Sequence, residues 1–275
     1  MKILYLGPNE GFESISDHSS EKINLYNCPI DKNIFDKEIK DSDGLIDASM
    51  KIPINDEIEN ISNKLKVIST ATTGSDHIDI EFVESLGIKV FTLKTDKDLI
   101  GSLTPAAELS WALLLGVARK ITSASNHVKS GLWVRENFPG IMLKGKTLGI
   151  VGCGRIGQWL ARYANAFDMN VQGYDPYLEP WPKNIKRKKL DELFMSSDFI
   201  SVHVHLTNKT RKLISKKLLN IIKPGSILIN TSRGGLIDEE ALLQALKSKR
   251  LAGAGLDVLD GEPNISKHPL VDYSR

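Results

Sequence analysis

Cysteine is nearly absent from the 275-residue chain, which carries only Cys28 and Cys153. Two thiols so far apart give no disulfide framework and no metal-ligand spacing, and they fit a reducing, cytoplasmic setting. An excess of one charge sign is also missing. Lys and Arg number 36 against 34 Asp and Glu, a net of +2, so no bulk field draws the chain to nucleic acid or to a membrane. The densest basic run, Lys186–Lys189, reads as a solvated loop. Long apolar runs are lacking as well: the longest, Trp111–Leu115, is far too short to span a bilayer. Met1–Gly7 reads as a first strand rather than a secretory leader, because Gly7-Pro8 stops its apolar run. No internal repeat suggests a solenoid. With 41% hydrophobic and 25% charged residues, the remaining class is an ordinary soluble globular protein of about two domains.

Thr147–Asp175 organises what is present. Leu148–Val151 is a short apolar run suited to a buried parallel strand. Gly152-Cys153-Gly154-Arg155-Ile156-Gly157 follows at once and fits G-x-G-x-x-G. Trp159, Leu160, Tyr163, Ala164 and Phe167 then recur at helical spacing, and a second strand, Val171–Tyr174, ends in Asp175. The first glycine makes the tight turn, the second admits a pyrophosphate to the backbone, and the third packs helix on strand. Asp175, 18 residues after Gly157 (175 − 157), is placed to accept the ribose hydroxyls and to repel a 2′-phosphate. Strand, glycines, helix, strand and acid in that order predict a dinucleotide site that favours NAD.

Before this unit, short strands at Ile3–Leu6, Gly44–Ile46, Lys66–Ser69 and Lys89–Phe91 alternate with polar helical stretches, which predicts a parallel sheet with crossovers. Glu21–Lys66 keeps apolar periodicity and reads as folded. Thr70–Asp79 joins a strand to a helix through small residues that could offer backbone amides to a carboxylate, or simply cap the helix; His77 reads as helix-start packing. Pro105 opens a long apolar helix, Ala106–Ile121, continuing toward Gly131; its surplus of apolar surface suits a core helix or a subunit contact. After Asp175 come strands at Phe199–His203, Ser226–Asn230 and Ala254–Val258, with helices at Lys212–Ile222 and Asp238–Lys247. Asp175, His203–Thr207, Thr231–Arg233 and Asp257 all fall at carboxyl ends of strands, where doubly wound sheets bind ligands.

These residues resemble the D-isomer-specific 2-hydroxyacid dehydrogenase family, with a general look of its 3-phosphoglycerate dehydrogenase branch. LGIVGCGRIGQ, SVHVHLTNKT, NTSRGGLIDEEALLQAL and AGAGLDVLDGEP are similar to the family's successive signatures, ATTGSDHID to its substrate loop, and TPAAELSWALLLGVARK to its interdomain helix. The resemblance implies two Rossmann-like α/β domains with parallel sheets, the second doubly wound: residues 1–98 substrate-binding, and 99–275 NAD-binding with a helix over 105–130. It implies an NAD-dependent oxidoreductase acting on a small D-2-hydroxy acid or 2-keto acid, cytoplasmic and homodimeric. By the same resemblance, Gly152, Gly154, Arg155, Ile156 and Gly157 hold the pyrophosphate and Asp175 the ribose. Backbone at His205 also reaches NAD, and Thr231, Ser232 and Asp257 border the nicotinamide. Arg233 binds the substrate's carboxylate and carbonyl oxygen, Glu262 pairs with the catalytic histidine, and Thr73 and Gly74 offer amides to the carboxylate.

Two departures bear on these expectations. His205 stands where the family carries proline in H-x-P-L-T, which leaves that turn less rigid. The family's catalytic histidine, in a Pro-His-Ile context, lies further from the glutamate than the 13 residues between Glu262 and Arg275 (275 − 262). His268 belongs to the segment before that motif. The expectation is therefore a C-terminally truncated chain, lacking the returning helix of the first domain, that binds NADH but turns over 2-keto acids poorly. A non-catalytic NAD(H)-binding sensor or scaffold of the same fold is the alternative.

Overall fold

The computed structural model describes residues 1–56, 64–72 and 74–274, and the chain divides into two compact units, Met1–Ser102 and Leu103–Arg275. In the first unit, β1 (Lys2–Leu6), β2 (Asn24–Asn27), β3 (Gly44–Asp47), β4 (Val67–Thr70) and β5 (Lys89–Phe91) form one parallel sheet in the order β2-β1-β3-β4-β5. Helices α1 (Asn9–His18), α2 (Lys32–Glu38), α3 (Ile80–Ser85) and α4 (Lys97–Ser102) belong to the same unit. Asp31 caps α2 by accepting from the amides of Asn33 and Ile34, and Asp79 caps α3 through that of Phe82. Leu4, Leu6, Leu45 and Ile68 from the strands meet Phe35, Ile39 and Val83 in its core. Strand β2 is absent from the sequence reading because Asn-Leu-Tyr-Asn carries little strand signal of its own. Its ladder is supplied by β1, its neighbour on the inner side.

The second unit contains α5 (Pro105–Ala118), α6 (Ile121–Lys129), β6 (Thr147–Val151), α7 (Arg155–Ala166), β7 (Asn170–Tyr174), β8 (Lys186–Arg187), α8 (Leu190–Ser196) and β9 (Phe199–Val202). Then follow α9 (Lys216–Ile221), β10 (Ser226–Asn230), α10 (Glu239–Lys247), β11 (Leu251–Leu256) and α11 (Pro269–Ser274). All neighbours in the sheet β11-β10-β9-β6-β7-β8 are parallel. The chain winds outward from β6 to β8, returns to β9 and winds the other way, so the direction reverses between β6 and β9. Alternate residues of the central strands feed two cores. Phe199 and Ile150 meet α5 and α7 on one face, while Ile200 and Val202 meet α8, α9 and α10 on the other.

Several sequence expectations shift here, each for a tertiary reason. The continuous helix over 105–130 is two helices: Ile141 N–H donates to the Ala118 carbonyl, and Lys120 turns left-handed (φ 53°). The surplus apolar surface of α5 is spent inside the unit, where Trp111 packs edge-on against Tyr163 and Phe167. Among the described residues, Asp98–Ala118 is long and apolar enough by composition to cross a membrane, more than the Trp111–Leu115 run suggests. That stretch is nevertheless broken at Leu103–Thr104, and Ala107, Ser110, Trp111, Leu114 and Ala118 of α5 are buried in the second unit. The helix expected from Lys212 starts at Lys216, because Lys212 and Ile214 donate to Gly235 and Leu236 instead. Strand β11 runs earlier than expected and stops at Leu256, and Lys186–Arg187 form a short charged edge strand beside β7.

Candidate active site

Register lines up the carboxyl ends of five strands in the second unit. Tyr174 pairs with Val151, Val151 with Val202, Val202 with Asn230, and Asn230 with Leu256. The residues immediately after this row are Asp175, Gly152, His203, Thr231 and Asp257. Three interstrand spacings of ~4.8 Å place Thr231 ~14 Å from Asp175, with the glycine turn between them. An extended dinucleotide laid along the row would meet each of them in order.

The glycines divide their labour. Gly152 has φ +92°, and a Cβ there would stand 2.2 Å from the His203 carbonyl oxygen, so only glycine makes this turn. A Cβ at Gly157 would lie 2.4 Å from the Gly152 oxygen, which fixes the close packing of α7 under the turn. Around Gly154 a Cβ would meet nothing within 4 Å. That open side lies at the N-cap of α7, where no side chain caps the helix. Amides without a side-chain cap, the positive end of a 12-residue helix and open space suit a pyrophosphate.

Asp175 braces the glycine turn. Its Oδ1 accepts from Tyr177 N at 3.0 Å and Leu178 N at 3.1 Å, and its Oδ2 accepts from Cys153 N at 3.1 Å. The carboxylate thus ties the end of β7 to the glycine turn, with lone-pair capacity to spare for hydroxyl donors. Cys153 is buried, and desolvation followed by the Asp175 charge pushes its thiol up to about 12, so it is no nucleophile. Arg155 turns its guanidinium onto the Leu103 carbonyl rather than into the open space at Gly154, and burial lowers its pKa. Its expected role through the backbone is compatible with that. Ile156 is half-buried against the α5–α7 core.

At the other end of the row, Thr231 Oγ1 lies 2.6 Å from Ser110 Oγ of α5, and Ser232 Oγ donates to the Val202 carbonyl at 2.8 Å. Buried Asn230 accepts from Ser232 N and donates to the Arg233 carbonyl at 2.9 Å. Arg233 is half-buried and donates from Nη1 to the Ser232 carbonyl. Asp257 is exposed just past β11, its amide on the Asn230 carbonyl. The carbonyl of His205 accepts from Thr210 Oγ1 at 2.7 Å, a side-chain brace in a turn without proline. His203, the first of the His203–Thr207 strand-end residues, sits with Nε2 2.8 Å from the buried Ser201 hydroxyl. The residue keeps some surface overall, yet its Nδ1 is shut off from solvent, and it is burial at the ring that governs protonation. Desolvation pushes it down to about 3, so the imidazole is neutral.

Glu262 is exposed and accepts from Leu259 N at 3.1 Å within its own turn. It is Glu239, at the start of α10, that meets His268: its Oε2 lies 2.9 Å from His268 Nε2 and its Oε1 accepts from Asp260 N. No local motif announces that pairing. In the first unit, Thr73 lies outside the described residues. Gly74, beside it, has its carbonyl held by Thr72 Oγ1 at 2.6 Å. His77 is buried with Asp47, its Nε2 3.0 Å from Oδ2. Among the described residues, no group of three or more His, Cys, Asp or Glu could hold a metal ion.

Comparison with known proteins agrees with this geometry. The family described as "D-isomer specific 2-hydroxyacid dehydrogenase, NAD binding domain" matches residues 111–275, and its catalytic-domain counterpart matches residues 3–98. D-3-phosphoglycerate dehydrogenase of Methanocaldococcus jannaschii is 42% identical over 234 residues, covering 82% of this chain and 43% of that protein. Glyoxylate reductase of Thermococcus litoralis is 41% identical over 238 residues, covering 82% and 70%. A solved structure from Thermus thermophilus superposes with a TM-score of 0.87 at 34% identity, over 99% of this chain and 86% of the other. The chain thus spans less than half the length of the first relative and most of the second.

Proposed function

The chain belongs to the D-isomer specific 2-hydroxyacid dehydrogenase family, and from that premise we propose that it serves an oxidoreductase that interconverts a small D-2-hydroxy acid and its 2-keto acid with NAD(H). The observation that carries this reading is the row Asp175, Gly152, His203, Thr231, Asp257, aligned by strand register and followed two positions after Thr231 by Arg233.

NADH, when bound, supplies the hydride that C2 of the keto acid accepts. The protein's own part is placement and charge. Asp175 accepts from the ribose hydroxyls, and its negative charge disfavours a 2′-phosphate, so NAD(H) is preferred over NADP(H). The backbone at Gly154–Ile156 holds the pyrophosphate. Arg233 presents a planar guanidinium fork to the keto acid's oxygens, where negative charge develops as hydride arrives. Amides at Thr73 and Gly74 take the carboxylate. His203, neutral, adds no charge beside the nicotinamide end. The names of relatives support 3-phosphoglycerate, glyoxylate or hydroxypyruvate chemistry as the substrate class. The working form is cytoplasmic and homodimeric; exposed apolar side chains at Ile121, Val128, Leu132, Trp133 (82% exposed), Val134 and Met142 support the dimer.

Fluorescence titration with both cofactors tests the reading. NADH should bind at least about tenfold tighter than NADPH, a difference of about 1.4 kcal/mol, and Asp175→Ala should shrink it. Equal or tighter NADPH binding overturns the preference. Keto-acid-dependent oxidation of NADH, lost in Arg233→Gln, tests the chemistry. Light scattering that finds only a 30.5 kDa species overturns the dimer.

A further inference from the structure

The first unit buries a carboxylate–histidine pair that the reaction as proposed does not use. Asp47 ends β3 with its side chain fully buried, and the His77 side chain is 6% exposed. They come from different loops, and His77 Nε2 stands 3.0 Å from Asp47 Oδ2. Among the described residues, neither ring nitrogen nor Oδ2 finds a hydrogen-bond partner elsewhere, so the two buried groups answer each other. The other carboxylate oxygen is saturated: Oδ1 accepts from Ser49 N at 2.7 Å, Ser49 Oγ at 2.8 Å and Met50 N at 3.1 Å. Met50 adopts a left-handed φ of 56° to make that turn, a conformation that a side chain of its size rarely takes. Burial by itself would raise the Asp47 pKa. The contact with His77 and the donors of Ser49 outweigh it and hold the carboxyl below the usual range, so it is anionic at working pH.

Main-chain bonds join the same two loops. Ala71 N donates to the Asp47 carbonyl at 3.2 Å, Ile54 N to the His77 carbonyl at 2.7 Å, and Asp79 N to the Ile54 carbonyl at 2.9 Å. Gly74 lies inside the loop so fastened. Around it, Thr70 Oγ1 donates to the Thr72 carbonyl, Thr72 Oγ1 to the Gly74 carbonyl, and Lys94 Nζ reaches Ser75 Oγ at 3.4 Å. A loop whose backbone is already fixed spares its ligand the cost of ordering it.

We propose that Asp47 and His77 form a clasp that holds the stretch 74–79 in the conformation that receives the substrate's carboxylate, with His77 as a positioning residue. The clasp rests on the substrate reading given above. It acts through the backbone at Gly74 and touches neither cofactor nor reacting carbon. Affinity for the carboxylate ligand should therefore depend on it, while affinity for NADH, held by the second unit, should not.

The test titrates oxamate, a carboxylate mimic of a 2-keto acid, into the NADH-saturated 275-residue chain by calorimetry, with NADH affinity measured separately. His77→Leu should weaken oxamate by ~10- to 100-fold, the range of a charge-assisted contact of about 1.5–3 kcal/mol, and leave NADH binding within about twofold. His77→Gln, which restores an N–H donor, should recover most of the loss. Should His77→Leu fail to fold, Asp47→Asn carries the same expectation, at about tenfold. The clasp is overturned if the parent binds oxamate and either folded variant, His77→Leu or Asp47→Asn, binds it equally well, or if NADH affinity falls in step with it. A parent chain that binds NADH but no oxamate overturns the substrate reading and the clasp together.

Discussion

Both sheets begin alike and part company at the first turn. β1 runs into Gly7-Pro8, and β6 runs into Gly152-Cys153-Gly154. At Gly152 the obstacle to a side chain is backbone, the His203 carbonyl of a neighbouring strand, and φ is +92°. At Gly7 the obstacles are side chains, Tyr5 Oη at 2.5 Å and the Ala48 methyl at 2.8 Å. The helix that follows also differs. α1 is preceded by Pro8 as N-cap, whereas α7 is preceded by Gly154 and open space. One glycine is crowded by side chains, and the other by the backbone of a neighbouring strand end. The unit with the glycine-rich turn carries a neutral histidine beside it, while the other unit buries a carboxylate against a histidine.

The largest expected effect breaks this contrast at its root. Gly152→Ala adds left-handed strain of ~1–2 kcal/mol and a backbone clash worth ~1–3 kcal/mol, roughly 2–5 kcal/mol in all. Because the strain falls on the cofactor turn, NADH affinity should drop by at least about 100-fold. Gly7→Ala should cost the first unit only the overpacking share, ~1–3 kcal/mol, with NADH affinity unchanged. Thermal unfolding and NADH titration of the two variants read both quantities. Equal damage to NADH binding from both would erase the distinction.

The contrast also explains what could be read in the sequence. Gly152 needs a left-handed φ and Gly157 a close approach to backbone that only glycine allows, so the spaced glycines stand out in the chain itself. Asp175, Thr231 and Asp257 were legible for a related reason: each is the residue where an apolar strand ends. Asp47 and His77 left no such trace, since β3 and the stretch 74–79 meet only once the sheet has formed. Glu239 and His268 are alike in this. The break at Lys120 was hidden because its cause, the amide of Ile141, comes from a distant loop. β2 was hidden because its stability is borrowed from β1.

The next effect separates the units by acid. His203 is held down to about 3 by burial, against ~6.5 for an unfolded histidine. As pH falls below ~6.5 the unfolded chain takes a proton that the folded one refuses, so the second unit loses up to about 1.4 kcal/mol per pH unit. Asp47 has the opposite chemistry and a lower window. Its depressed pKa gives stability that is present above ~3.9 and lost only as pH falls below that. All four tryptophans, Trp111, Trp133, Trp159 and Trp181, lie in the second unit, so their fluorescence reports that unit alone. Denaturant midpoints by fluorescence should decline between about pH 6.5 and 4.5, whereas amide protection in β1 and β3 should hold until below about pH 4. His203→Asn should flatten the fluorescence trend. Protection that fails first in β1 and β3, or a trend that survives in His203→Asn, contradicts the assignment.

The smallest effect is the sharpest, because it divides stability from binding at a single atom. A Cβ at Gly154 meets nothing within 4 Å, and its φ of −67° is open to any residue. Gly154→Ala therefore has no steric reason to disturb the folded chain, and its unfolding free energy should stay within about 0.5 kcal/mol of the parent. If the open side at Gly154 is where the pyrophosphate approaches the amides of α7, the new methyl stands in that approach. NADH affinity should then fall by about tenfold, or about 1.4 kcal/mol. Loss of binding without loss of stability is the signature of space kept for a ligand, and Gly7→Ala should give the reverse. Gly154→Ala binding NADH as the parent does would mean that the phosphates pass elsewhere, and the division of labour among the three glycines would have to be redrawn.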